Sequence, residues 1–375
     1  MRILHITGDW KWTGPSAPML EGVLALRERG HDVALALPEA PEGAGSSVEA
    51  RARAADIEPA LLLGRGKGAG LWRDRTDAKR LHNLIEEREI EIVHTWHTRD
   101  HVLALRAARG RRKAGATRIV RSFKSADPVP QLPWNRWLFG PGTDGLVCVS
   151  RGAAQANQAL RGGRPTLVAA GAIDTQALRP TAPDPVMRES LGIRPEHRVV
   201  GIVARAQRHR RFDLLLEATA RLVEREPLAR LLVIGRGTHI EETARQPARR
   251  LGIADQVIFA GYRTADYLDV LRCASVFTFL VPGSDGGCRA LLEAGACGLP
   301  AVTSRRGALP EIVLDGETGL LVDEDPGALA SAWLALLGDE PRRVKMGQAA
   351  RQRAEQHFDR SRFAERLEAF YGALK

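Results

Sequence analysis

Two carboxylates eight residues apart, Asp285 and Glu293, bracket the stretch of this chain richest in chemistry, residues 282–300. Asp285 with Gly286 and Gly287 offers a carboxylate for sugar hydroxyls, and N–H groups for phosphate oxygens at a helix start. Eight helical residues turn through about 800°, which predicts Glu293 on roughly the face of Asp285. A Glu among Leu291, Leu292 and Ala294 needs a partner if buried. Pairing with an Arg at a helix edge is the plain alternative. A second stretch places Arg205 and Arg210 five residues apart in a loop after an apolar run. Two guanidinium groups so spaced can converge on a diphosphate, the alternative being a solvated basic loop. A third, residues 8–15, holds Gly8 and Gly14 between the first expected strand and the first expected helix. Such a loop lets backbone N–H groups approach an anion, and a simple tight turn explains it equally well. The fourth joins His94, His97 and His101 with Lys124 at the ends of two further strands. Three His in that spacing match no zinc pattern and lack a carboxylate or Cys set, so they are expected as polar site lining, some of it structural.

The elements that must position these residues alternate throughout. Strands are expected at 2–6, 32–37, 90–94, 118–123, 145–149 and 165–169, with helices at 18–29 and 77–88, and Gly-rich loops at 42–47 and 64–70. A Pro-rich connector, 179–185, precedes a second series with strands at 198–203, 230–234, 257–259, 275–280 and 300–303. The end of the chain reads as helix, with apolar positions Phe363, Leu367 and Phe370. Alternation of this kind implies parallel sheets with right-handed crossovers, and 375 residues exceed what one core organises. The reading is α/β, two doubly wound parallel-sheet domains facing a central cleft, with ligands at the carboxyl ends of the strands.

Composition narrows the class. Hydrophobic residues make up 44% and charged residues 27%, a globular balance. The net charge is +10, and only seven of the 55 basic residues are Lys. That balance suits anionic partners, including nucleotides and acidic lipids. Four Cys form no CxxC pair, which fits a reducing compartment. Apolar runs fall far short of a membrane span, and the start of the chain reads as a strand rather than a leader. A cytoplasmic protein is expected.

In combination these stretches resemble the retaining GT-B glycosyltransferases of family 4 over essentially the whole chain. The motifs are the loop ending at Gly14, then 92–94, 148–151, 172–174, Arg205 with Arg210, 285–300 and 316–322. The resemblance implies two Rossmann-like domains. Residues 1–175 would bind the acceptor and 176–358 the nucleotide sugar, with 359–375 a helix crossing back to the first. It implies that Gly14, Arg205, Arg210, Asp285, Gly286, Gly287, Cys288 and Glu293 bind the donor. Asp285, Lys124 and His97 would carry the chemistry, with no metal and no cofactor. Asp285 stands where most members have Glu, and Arg210 where most have Lys, so charge is kept. Lys124 replaces a His near the reacting sugar, and His97 is expected to supply part of the missing imidazole's role. Hexose transfer to a saccharide or lipid-linked acceptor follows. It is expected in cell-envelope or lipopolysaccharide synthesis, with peripheral contact on the acidic inner membrane face. Rival readings are a nucleotide-sugar epimerase, which needs no acceptor, another nucleotide-dependent GT-B or Rossmann enzyme such as an oxidoreductase, and an Arg-rich nucleic-acid binder. The missing GxGxxG after the first strand counts against the oxidoreductase. The binder is disfavoured because aromatics are only 5% and Trp10 and Trp12 sit in the glycine loop. No nucleic-acid partner is expected.

Overall fold

The computed structural model describes residues 1–14, 16–44, 46–64, 71–125, 128–282 and 286–374, with backbone only at 71–73. The chain divides into two compact units. The first holds Met1–Ile173, Ser284–Gly287 and Asp359–Lys375, and the second Asp174–Gly283 and Cys288–Phe358.

Seven parallel strands build the first unit: β1 (Arg2–Ile6), β2 (Asp32–Pro38), β3 (Leu61–Leu63), β4 (Ile92–Thr95), β5 (Arg118–Phe123), β6 (Gly145–Cys148) and β7 (Thr166–Val168). Their order is β3-β2-β1-β4-β5-β6-β7. Six build the second: β8 (Arg198–Val203), β9 (Ala229–Ile234), β10 (Val257–Gly261), β11 (Val276–Phe279), β12 (Ala301–Ser304) and β13 (Gly319–Val322), in the order β10-β9-β8-β11-β12-β13. Both are doubly wound sheets whose order reverses beside their first strand, the point at which open α/β sheets hold ligands. Near-continuous apolar strands such as Val33–Leu37 are buried on both faces, as crossover helices require.

The first core is completed from the far end of the chain. Helix Arg360–Ala373 starts at Asp359, whose side chain accepts the Ser361 amide, and buries Phe363, Leu367 and Tyr371 among Met19, Val23 and Leu35. Gly22 lets it approach helix Ser16–Glu28, since a Cβ there would lie 2.9 Å from the Phe363 ring. The Arg360 amide donates to the Ile173 carbonyl at 2.9 Å. In the second unit, helices Phe212–Arg225 and Pro326–Gly338 pack Phe212, Leu215 and Leu216 near the fully buried Trp333. Asp325 caps the latter helix ahead of Pro326, a residue suited to a first helical turn.

Most expected strands fall within two residues of those observed. Helix Leu71–Glu87 begins six residues before the expected start, and helix Val48–Arg53 and strand β3 were not expected. Among the described residues no helix is long and apolar enough to cross a membrane.

Candidate functional site

In the first unit, β4 delivers His97 to the start of helix Thr98–Ala107. The His97 amide donates to Asp100 Oδ2 at 2.9 Å, half of the reciprocal bonding that starts many helices. Asp100 is fully buried, and its Oδ1 has no hydrogen-bond partner. A Cβ on Gly8 would sit 2.5 Å from that oxygen, so glycine is required there by close approach. One residue beyond β5, Lys124 places its Nζ 2.8 Å from His97 Nε2. Both atoms cannot donate to each other. With Nδ1–H turned to Asp100 Oδ2, 3.3 Å away, Nε2 accepts from the ammonium, and carboxylate and cation balance across the ring. The result is a hydrogen-bonded row, Asp100–His97–Lys124. The Gly8 amide also reaches Nδ1, at 3.2 Å, and stabilises the opposite tautomer. Lys124 lines a pocket with Trp96, Ser122, Gly171 and Gly287, its ammonium 5.8 Å from the Trp96 ring centre.

Beneath this row lies a buried aromatic layer. His94 bonds Tyr371 Oη at 2.5 Å through Nδ1 and Ser122 Oγ at 2.8 Å through Nε2, and stacks on Trp96. Trp96 Nε1 donates to His5 Nδ1 at 3.2 Å. Burial pushes His5 down to about 3, and His94 well below its ordinary value. His101 is also buried, with Nε2 at the Gly142 carbonyl (2.9 Å), and burial with the neighbouring Arg121 pushes it down to about 3. Of the three His expected as polar lining, His94 and His101 are thus structural, and only His97 is partly open.

The glycine loop after β1 is tied to itself and to a neighbour. Asp9 accepts the Lys11 amide at 3.1 Å, the Thr13 carbonyl accepts the Ser16 amide at 2.9 Å, and Lys11 bridges to Ser47. Gly14 lies in that turn. Gly286, expected to offer its amide to a phosphate, instead donates it to the Lys124 carbonyl at 2.9 Å. A Cβ at Gly286 would meet that oxygen at 2.4 Å, so the glycine serves the contact itself.

In the second unit, Arg205 stands exposed just beyond β8. Arg210 ends a short helical turn, and its Nη1 donates to the Val281 carbonyl at 2.7 Å, past the end of neighbouring β11. The loop closes at Arg211, in the left-handed region (φ 57°) and bonded to Glu324 at 2.5 Å. Helix Arg289–Ala296 starts after Cys288, whose φ of 52° is also left-handed and whose side chain is buried. The helix therefore begins four residues beyond Asp285, and the expected shared face of Asp285 and Glu293 does not arise from helical geometry. Asp285 itself lies outside the described residues. Glu293 is buried and doubly held: Arg289 Nε donates to Oε1 at 2.5 Å and Tyr267 Oη to Oε2 at 2.6 Å. Burial and the adjacent carboxylate push the Tyr267 phenol well above its ordinary value. A carboxylate retains further lone pairs for a ligand hydroxyl. Sequence reasoning missed Tyr267, 26 residues away, whereas Arg289 stood at helical i, i+4 spacing. It also passed over Asp100, three residues after His97. Among the described residues no group of three or more His, Cys, Asp or Glu is placed to share a metal ion.

Two doubly wound parallel-sheet units of this strand order define a GT-B chain. Residues 19–177 match the family model for Glycosyltransferase Family 4, and residues 184–353 that for Glycosyl transferases group 1. The chain is 34% identical over 298 residues to the GDP-mannose-dependent alpha-(1-6)-phosphatidylinositol monomannoside mannosyltransferase of Mycolicibacterium smegmatis, covering 74% of this chain and 75% of that one. It is 38% identical over 193 residues to the D-inositol 3-phosphate glycosyltransferase of Corynebacterium diphtheriae, covering 49% and 44%. A crystal structure of Anabaena Alr3699/HepE in complex with UDP and glucose shares the fold over 100% of both chains, with a TM-score of 0.79 at 18% identity. The chain belongs to the family 4, group 1 glycosyltransferases, and it is a glycosyltransferase.

Proposed function

We propose that this enzyme moves a hexose, with retention of anomeric configuration, from a nucleoside-diphosphate sugar to a lipid-linked acceptor that carries an inositol phosphate. The supporting observation is the 34% identity to a mannosyltransferase whose own name specifies GDP-mannose and a phosphatidylinositol mannoside, over a span that includes parts of both units. In this reading residues 176–358 take the donor and residues 1–175 the acceptor. Arg205 and Arg210 hold the diphosphate, Glu293 takes the ribose, and Asp285 contacts the sugar. Gly14, Gly287 and the Cys288 backbone complete the donor site.

In the transfer the acceptor oxygen bonds to the anomeric carbon while the bond from that carbon to the diphosphate oxygen breaks. The acceptor proton passes to the departing diphosphate. Positive charge aimed at that leaving group lowers the barrier, and the two Arg provide it without a metal. Lys124, with His97 and Asp100 behind it, orients the acceptor hydroxyl and offsets charge as the bond breaks.

The test is to incubate the enzyme with GDP-mannose or UDP-glucose, with phosphatidylinositol mannoside, inositol 3-phosphate, a lipopolysaccharide core or no acceptor. Product is read by mass spectrometry and its anomeric form by NMR. The reading requires an α-linked product from an α-linked donor on an inositol-bearing acceptor. An epimerised donor formed without acceptor, or transfer to the lipopolysaccharide core alone, would replace it.

A further inference from the structure

Residues 128–140 carry apolar bulk that the first unit does not bury. Leu132 is 60% exposed, Trp134 52% and Trp137 47%. Helix Pro133–Phe139 buries only Leu138 and Phe139, and its two indoles stack on each other 5.4 Å apart at the surface. Pro128, Pro130 and Pro133 are exposed beside them.

The charge around this aromatic pair is predominantly basic. From residue 128 to 173 the sequence holds a single acid, Asp144, and Arg112 occupies both of its oxygens. Arg136 lies in the helix itself, and the adjoining helix Gln158–Arg161 ends in Arg161, with Arg164 just beyond. On the other side Arg112 also donates to the Pro141 carbonyl at 2.7 Å, which fixes the basic helix Arg109–Lys113 beside this segment. Arg109 and Lys113 on that helix are exposed.

We propose that this face docks on an acidic bilayer, with Leu132, Trp134 and Trp137 in the headgroup layer and the surrounding cations against lipid phosphates. Trp prefers the membrane–water interface, where an apolar ring and a polar N–H are both accommodated. Basic residues spread over three elements match a surface that is negative throughout, rather than one acidic side chain of a protein partner. The proposal gives the lipid-linked acceptor of the previous section a reason to be within reach, and to that extent rests on it. The vesicle measurement below uses neither donor nor acceptor, so each can fail without the other.

The full-length protein is floated with vesicles of phosphatidylcholine alone and with added phosphatidylglycerol, some carrying brominated chains. The wild type should float with the acidic vesicles, lose affinity with salt, and show Trp emission quenched by bromine. The Trp134→Ser/Trp137→Ser double variant should bind on the order of tenfold more weakly or worse, and lose the quenching, while its thermal midpoint stays unchanged. Equal vesicle binding by the variant, or no binding by the wild type, overturns the proposal. Self-association in sedimentation that the double variant abolishes, without vesicle binding, would also overturn it in favour of a protein interface.

Discussion

The two sheets share a strand order, yet their strand ends are built from opposite chemistry. In the first unit β1 and β4 carry His5 and His94, neutral and fully buried, bonded to Trp96, Ser122 and Tyr371. His97 and Lys124 sit on that layer with their geometry fixed from below. In the second unit β8 leads into a loop of Arg, where Arg205 is exposed and Arg210 donates to the Val281 carbonyl beyond neighbouring β11. A frame of neutral imidazoles holds reacting groups in place and resists protonation. A frame of guanidinium groups meets charge the ligand already carries. On the proposed function, the same topology separates positioning from charge binding.

Removing residues 360–375 should have the largest effect, because it withdraws Phe363, Leu367 and Tyr371 from one core and leaves the other untouched. Each loss costs about 2–5 kcal/mol, together comparable to a whole domain's stability. Near-UV circular dichroism and limited proteolysis should show the first unit unfolded and the second intact. Two intact units would mean that the helix is an accessory. Next, Lys124→Ala should lower turnover by roughly 100-fold, on the order of what removing one group that stabilises the transition state electrostatically costs. Steady-state kinetics at saturating donor reads this directly, and wild-type turnover would move the chemistry elsewhere.

The pH dependence sharpens the contrast between the units. The folded values of His5 and His101 are lowered to about 3, whereas the unfolded groups titrate at 6.5, so the unfolded chain takes up protons first as pH falls. Stability is therefore complete above about 6.5 and declines as pH falls toward 3. At pH 5 each buried His should cost on the order of 2 kcal/mol. Urea unfolding at pH 7 and 5 should show the loss in the first unit's transition, reduced in His5→Gln. A loss confined to the second unit would contradict the assignment. The smallest expected effect is that of chelation. EDTA should leave turnover unchanged if Arg205 and Arg210 carry the charge at the diphosphate. Loss restored by a divalent ion would give that role to a metal.

What the sequence showed depended on range. Strands Arg2–Ile6, Arg118–Phe123 and Arg198–Val203 were legible to the residue as short apolar-rich runs bounded by turn and loop residues. Leu61–Leu63 is too short for any period and was invisible. The Arg205–Arg210 loop was legible as a loop after β8, while its role at a diphosphate was implied only by the family resemblance. The burial of His94 and His101 was not, because their partners Tyr371 and Gly142 lie 277 and 41 residues away. Nor was the His97–Lys124 pair, which exists because β4 and β5 are neighbours. The intramolecular partner of the Gly286 amide was hidden for the same reason: only the folded chain brings the Lys124 carbonyl to it.

The division of labour between the two strand ends is tested most directly by titrating GDP and UDP calorimetrically into the wild type, Arg210→Ala and Lys124→Ala. A charged hydrogen bond contributes about 1.5–3 kcal/mol, so Arg210→Ala should weaken the diphosphate it binds by roughly 10- to 150-fold. Lys124→Ala should bind it like the wild type. Unchanged affinity in Arg210→Ala together with a loss in Lys124→Ala would put the diphosphate on the first unit and contradict the account.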